Sequence, residues 1–146
     1  MPDAAEVTFA LVPADRVTLV WAGLRPCFEI VRRKTNSPWL PEDVYTEIRE
    51  ARASLHLAFI EGALKGLFVL SAMNDRYTNE RILVIWVAFS SDPRIIDPCM
   101  EEIDKVARAA GIRRIISQSP RKGWIRRLRG HGYSQTEIVL EKRLEN

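Results

Sequence analysis

The order of strand and helix signals predicts an α/β (α+β) protein built on a mixed sheet with helices on both faces. Three observations carry this reading. The run Ile82 to Phe89 is apolar at every position, and a strand without alternation is buried on both faces, in the middle of a covered sheet. A helix pattern and a further strand follow it, which makes a right-handed parallel crossover. Two strand signals precede it, separated by short turns that suit antiparallel pairing. The 146 residues show no repeat, low-complexity tract or linker, so residues 1–146 read as a single domain.

Each element has its own local cause. Val7 to Val12 reads as a first strand ended by Pro13. Asp15 then suits the N-cap of a helix whose apolar face is Val17, Val20, Trp21, Leu24, Phe28 and Val31, at three-and-four spacing. Pro26 lies inside that pattern and is expected to kink or split it. Asn36 to Leu40 is a loop, and Pro41 opens a second helix with Glu42 and Asp43 near its positive end and Val44, Ile48 and Ala51 on its buried side.

Strand signals take over at Leu55, Leu57 and Phe59, which alternate with Ser54, His56 and Ala58 before a turn at Glu61-Gly62. Leu64 to Met73 is the next strand, with Gly66 marking a bulge or a close backbone approach. After the central run, Asp97 and Pro98 read as the N-cap and first position of a helix. Its face is Ile96, Met100, Ile103, Ala107 and Ala110, and Gly111 stops it. Glu101 with Lys105 and Asp104 with Arg108 are expected pairs on its outer side. Ile112 to Ser117 is a strand, Arg121 to Arg129 a basic helix, and Glu137 to Leu144 a final strand. The full order is β-α-α-β-β-β-α-β-α-β.

Apolar residues at 47% and charged residues at 28% are globular values, and the net charge is only +3. The distribution says more. Nine basic residues lie between Asp104 and Glu137, with no acidic residue among them. Such a block suits nucleic acid, a phosphorylated cofactor, an acidic protein surface or simply water. Cys27 and Cys99 are too few and too scattered for a disulfide framework, and His56 and His131 have no ligand-type neighbour at metal spacing. Cys99 sits one turn into a helix, where the dipole favours a thiolate, although a small buried apolar residue is the simpler role. The start of the chain carries Asp3 and Glu6 and no apolar core of signal-peptide type. The longest apolar run is far too short to cross a bilayer, so no membrane association and a cytoplasmic location are expected.

The order of elements resembles the GNAT superfamily of N-acyltransferases over nearly the whole chain. Ala109-Ala110-Gly111 before the strand Arg113-Arg114-Ile115-Ile116, and Gly130-His131-Gly132-Tyr133 before the last strand, are similar to local features of that family. Lys122-Gly123-Trp124 and Glu141-Lys142 in a compact chain look like small GNAT-like proteins of tailed bacteriophages, which implies host cytoplasm or virion.

The resemblance implies acetyl-CoA held in a V between the central strand and the strand after the crossover, with its pyrophosphate at the crossover helix. The cofactor-binding residues it implies are Val87, Phe89, Ser91, Arg94, Ile95 and Ser117. An acyl-CoA and an amine would then be the ligands of an active protein, and a protein partner the alternative. The turn Phe89 to Pro98 nevertheless has no glycine. Pro93 and Pro98 offer no amide there, and Asp92 and Asp97 place negative charge where phosphate would sit.

The general-acid position of the family falls on Leu128. Glu80, Asp92, Asp75 and His56 are the only polar candidates for a base near the central strand, and no catalytic residue is assigned. Arg121, Lys122, Arg126 and Arg129 form a basic helix that would meet the 3′-phosphate of coenzyme A, nucleic acid or an acidic protein. Trp124 among them reads as core, because a lone aromatic is weak support for base stacking.

Overall fold

A computed structural model describes residues 6–145. The N-terminal Asp3 lies outside the described residues. Five strands form one sheet in the order β1-β2-β3-β4-β5: Val7–Val12, Ala53–Ile60, Ala63–Asn74, Arg81–Ser90 and Arg114–Ser117. Neighbours pair antiparallel except β4 with β5, which is parallel across the crossover. Helices α1 (Val17–Thr35) and α2 (Pro41–Arg49) bury Leu24, Phe28, Val44 and Ile48 on one face, against Leu55, Leu67 and Val69. Helices α3 (Ile96–Ala109) and α4 (Lys122–Gly130) cover the other, with Met100, Ile103 and Leu128 on Phe68, Leu70 and Ile85. The mixed sheet with helices on both faces is as the sequence implies.

Two irregularities shape the middle of the sheet. Register skips between Ala58 and Phe59 opposite Gly66 and Leu64, which makes Lys65 an extra residue of β3. It skips again where Val69 faces Val87 and Leu70 faces Ile85, leaving Trp86 unpartnered in β4. A bulge reverses side-chain parity. Leu83 and Ile85 therefore point to the α3 side, while Trp86 and Val87 both pack with the α1 side. Gly66 meets the expectation of a close approach: a Cβ there would overlap the carbonyl oxygen of Phe89 and Cδ1 of Ile95. Glu61 and Gly62 both take positive φ, 51° and 78°, in the tight turn between β2 and β3.

Several local expectations are corrected. Helix α1 runs unbroken through Pro26, which faces solvent, so water can satisfy the carbonyl that the missing N–H leaves free. Asp15 lies in a 3-10 turn, Ala14–Arg16, and caps nothing. Ala51 lies past the end of α2, exposed, at φ 60°. Ala110 is exposed at the end of α3, and neither Glu101–Lys105 nor Asp104–Arg108 is among the ion pairs of the described residues. Residues 137–144 are not a strand: they carry no sheet pairing, and Ile138, Val139, Leu140 and Leu144 are exposed. β5 is thus an outer strand of the sheet.

Candidate functional site

The β4–β5 ladder ends at Ile85 opposite Ser117, next to the Trp86 bulge, while β4 continues to Ser90. Beyond that point the two strands part. The space at the carboxyl end of β4 opens into a cleft of about 940 Å3, walled by the β4 end, the turn before α3, α3 itself and α4, with Lys34 of α1 at its rim. Ligand crevices of open α/β sheets lie at such carboxyl ends.

Of the cofactor residues implied by the resemblance, Phe89, Ser91 and Ile95 line this cleft. Val87, Arg94 and Ser117 do not. Val87 is buried under α1, on the side to which the bulge turned it. Arg94 points away into an ion pair, and the Ser117 hydroxyl accepts from Trp124 Nε1 at 3.0 Å. That bond fixes Trp124 half-buried against the α3-side core, in agreement with its reading as core.

The polar groups of the turn from Ser90 to Ile96 are paired within it or with the adjacent β3. Both the amide and the hydroxyl of Ser91 donate to the Lys65 carbonyl, at 2.8 and 2.9 Å. Asp92 caps the 3-10 turn Pro93–Ile95: its Oδ1 accepts the Arg94 amide at 2.9 Å. The Arg94 guanidinium closes on the same carboxylate, with Nη2 2.7 Å from Oδ2. These hydrogen bonds hold the Asp92 carboxyl down at about 2. The Ile95 amide donates to the Asp92 carbonyl at 3.2 Å and the Ile96 amide to the Pro93 carbonyl.

Asp97 is not the N-cap, because the helix begins one residue earlier, at Ile96. Its carboxylate reaches across to α4 instead. Oδ1 lies 2.9 Å from His131 Nε2 and 3.9 Å from Arg127 Nε. The His131 hydrogen bond, helped by Arg127, depresses the Asp97 pKa. This contact ties α4 to the first turn of α3 beside the cleft. The sequence reading missed it, since nothing in the spacing joins residues 97 and 131. The Asp92 cap was missed as well, although Asp-Pro-Arg before a helix carries an Asx-turn signal.

The candidate bases are occupied elsewhere. Asp75 and Glu80 both hold Arg114, at 2.7 and 3.2 Å, locking the β3–β4 turn to the start of β5. His56 is buried, stacked on Phe68 at 4.7 Å, with Nε2 2.7 Å from Ser54 Oγ, and burial lowers its pKa to about 4. Cys99 borders the cleft, but burial pushes its thiol up to about 12, which removes it as a nucleophile. Leu128 is core. Tyr133 packs against the same core; its hydroxyl is buried without a partner, and burial raises its pKa to about 12. Among the described residues no cluster suits a metal ion, and no helix is long and apolar enough to cross a membrane.

Arg121 and Arg126 border the cleft, and Arg126 and Arg129 are exposed without an ion pair among the described residues. No protein-family model and no curated protein matches the sequence. Solved structures do match its shape. An aminoglycoside acetyltransferase from an uncultured soil metagenomic sample, in complex with sisomicin, superposes with a TM-score of 0.68 at 12% identity, covering 96% of each chain. A predicted acetyltransferase with acetyl-CoA from Clostridium acetobutylicum gives 0.68 at 13%, over 94% of this chain and 96% of that one. A ribosomal-protein-alanine N-acetyltransferase from Brucella melitensis gives 0.66 at 11%, over 97% and 99%.

The chain has the GNAT acetyltransferase fold.

At such identities the likeness is one of fold.

Proposed function

We propose that this chain is an acyltransferase-like protein of the GNAT fold that keeps the cleft without a phosphate-gripping turn, and that it acts by binding a protein partner. One observation carries this reading. The amides of Ser91, Arg94, Ile95 and Ile96, those a pyrophosphate at the start of α3 would need, are all paired already, Ser91 with the Lys65 carbonyl of β3 and the other three within the turn. Pro93 and Pro98 have none to offer, and two carboxylates, Asp92 and Asp97, line the same end of the cleft. An anion at a helix start needs free N–H groups and positive potential. The residues present therefore do not fit acetyl-CoA at this point.

The second reading is N-acyl transfer from an acyl-CoA to an amine. It is favoured by the cleft itself, by Arg121 and Arg126 on its border, and by a neighbour of the same fold with acetyl-CoA. Isothermal calorimetry with acetyl-CoA and with coenzyme A separates the two. The first reading expects no saturable heat, and a micromolar Kd would transfer the conclusion to the enzyme. The setting that accompanies the first reading is that of the small GNAT-like phage proteins, in host cytoplasm or virion; its support is the Lys122-Gly123-Trp124 stretch and the compact chain.

A further inference from the structure

Beyond Ile85, β4 keeps only one neighbour. Val87 to Ser90 pair with β3 along one edge, while the β5 ladder that covered the other edge has ended at Ile85 opposite Ser117. The bare edge borders the cleft, which Ala88, Phe89 and Ser90 line. Main-chain N–H and C=O groups along such an edge are a template for another strand.

The walls around that edge repeat the layering of the sheet. Phe68, Met100 and Ile103 reach the cleft from the core under α3, and Val31 and Leu67 from the core under α1. The slot thus opens onto both apolar layers, as an interior position of the sheet does. A strand seated in it would send successive side chains to opposite faces, each into an apolar layer. The mouth differs. Lys34, Arg121 and Arg126 line it, exposed and without an ion pair among the described residues. The two carboxylates of the cleft are already answered, Asp92 by Arg94 and Asp97 by His131 and Arg127. The uncompensated charge is positive.

We propose that the protein partner enters this cleft as an extended segment, a short apolar run flanked by acidic residues, which adds as a strand to the β4 edge between Val87 and Ser90. The inference rests on the partner-binding reading above and gives that partner its chemistry. A peptide main chain matches a row of alternating donors and acceptors, whereas an acyl chain or a sugar-phosphate backbone has no N–H for the carbonyls. The two apolar layers take the run itself. The three free cations meet carboxylates at its ends and draw an acidic segment in by charge.

The test is fluorescence anisotropy of a labelled octapeptide, Val-Ile-Val-Leu between two pairs of glutamates, titrated with the full chain. Two further probes carry N-methyl groups on alternate residues of the run, one in each register, and a third has lysines for the glutamates. Saturable binding of the parent peptide is expected. Only one edge of an added strand faces β4, so one methylated register should bind far more weakly than the other. The lysine probe, and the exposed substitutions Arg121→Glu and Arg126→Glu, should each raise Kd about tenfold or more; circular dichroism verifies that the variants fold. No saturable binding would overturn the inference, as would an equal effect of the two registers. So would a thymidine oligonucleotide of equal charge that binds as tightly, since the face would then read charge alone. Displacement of the bound peptide by coenzyme A would instead overturn the reading on which the inference rests.

Discussion

Asp92 does at the start of α3 what a bound anion would do: it accepts an amide of the turn, and it draws the Arg94 guanidinium onto itself. Its pKa of about 2 lies below the ordinary 3.8. The folded state therefore favours the ionised form, and the cap's contribution is present above the ordinary value and lost as pH falls towards about 2. Asp92→Asn should flatten the acid limb of a urea-midpoint profile over that window and lower the thermal midpoint at neutral pH. His56 titrates in the opposite sense of charge. Burial lowers its pKa from 6.5 to about 4, so the unfolded chain takes up the proton first, and stability falls as pH drops from 6.5 to about 4. The full effect is about 3 kcal/mol. A His56→Leu variant should lose that slope while keeping the same profile above pH 7; an unchanged slope would assign it to another group.

At the scale of elements, most of the architecture was readable because its causes are local. The apolar run of β4, the helical face of α1 and the proline that opens α2 each act through neighbours in sequence. Pairing of the Leu40 amide with the Asp43 carboxylate, at 2.7 Å, completes the start of α2. The Trp86 bulge was not readable, since it depends on how β3 and β4 register against each other and leaves no mark in a uniformly apolar strand. Pro26 does not split the helix, because packing of Leu24 and Phe28 on either side of it keeps the helix continuous. Pro26→Ala should thus stabilise the protein by about 1–3 kcal/mol in urea unfolding. Gly66→Ala should do the reverse. Its methyl group would collide with backbone at Phe89, which cannot yield as a side chain can, and the expected loss is about 2–3 kcal/mol or more.

Over the whole molecule, charge is divided: acidic groups concentrate before Asp104, and a basic stretch follows it. The exposure of Arg126 and Arg129 was legible from that division alone, whereas the Asp97–His131 clasp between α3 and α4 required the fold to bring together groups 34 residues apart. Any association of nucleic acid with this face should weaken steeply as salt rises, because it would rest on counterion release; a binding curve insensitive to salt would contradict an ionic contact. The cleft's place was given only by the resemblance, and the pairing of its turn was not readable, since that follows from hydrogen bonds made only once Lys65 is bulged towards Ser91. That closed turn is the centre of the account, and amide resonances test it most directly. In a titration of the labelled protein with coenzyme A, the signals of Ser91, Arg94, Ile95 and Ile96 should stay in place at every concentration. Saturable shifts at those four amides would show that the turn opens to receive a pyrophosphate, and would contradict it.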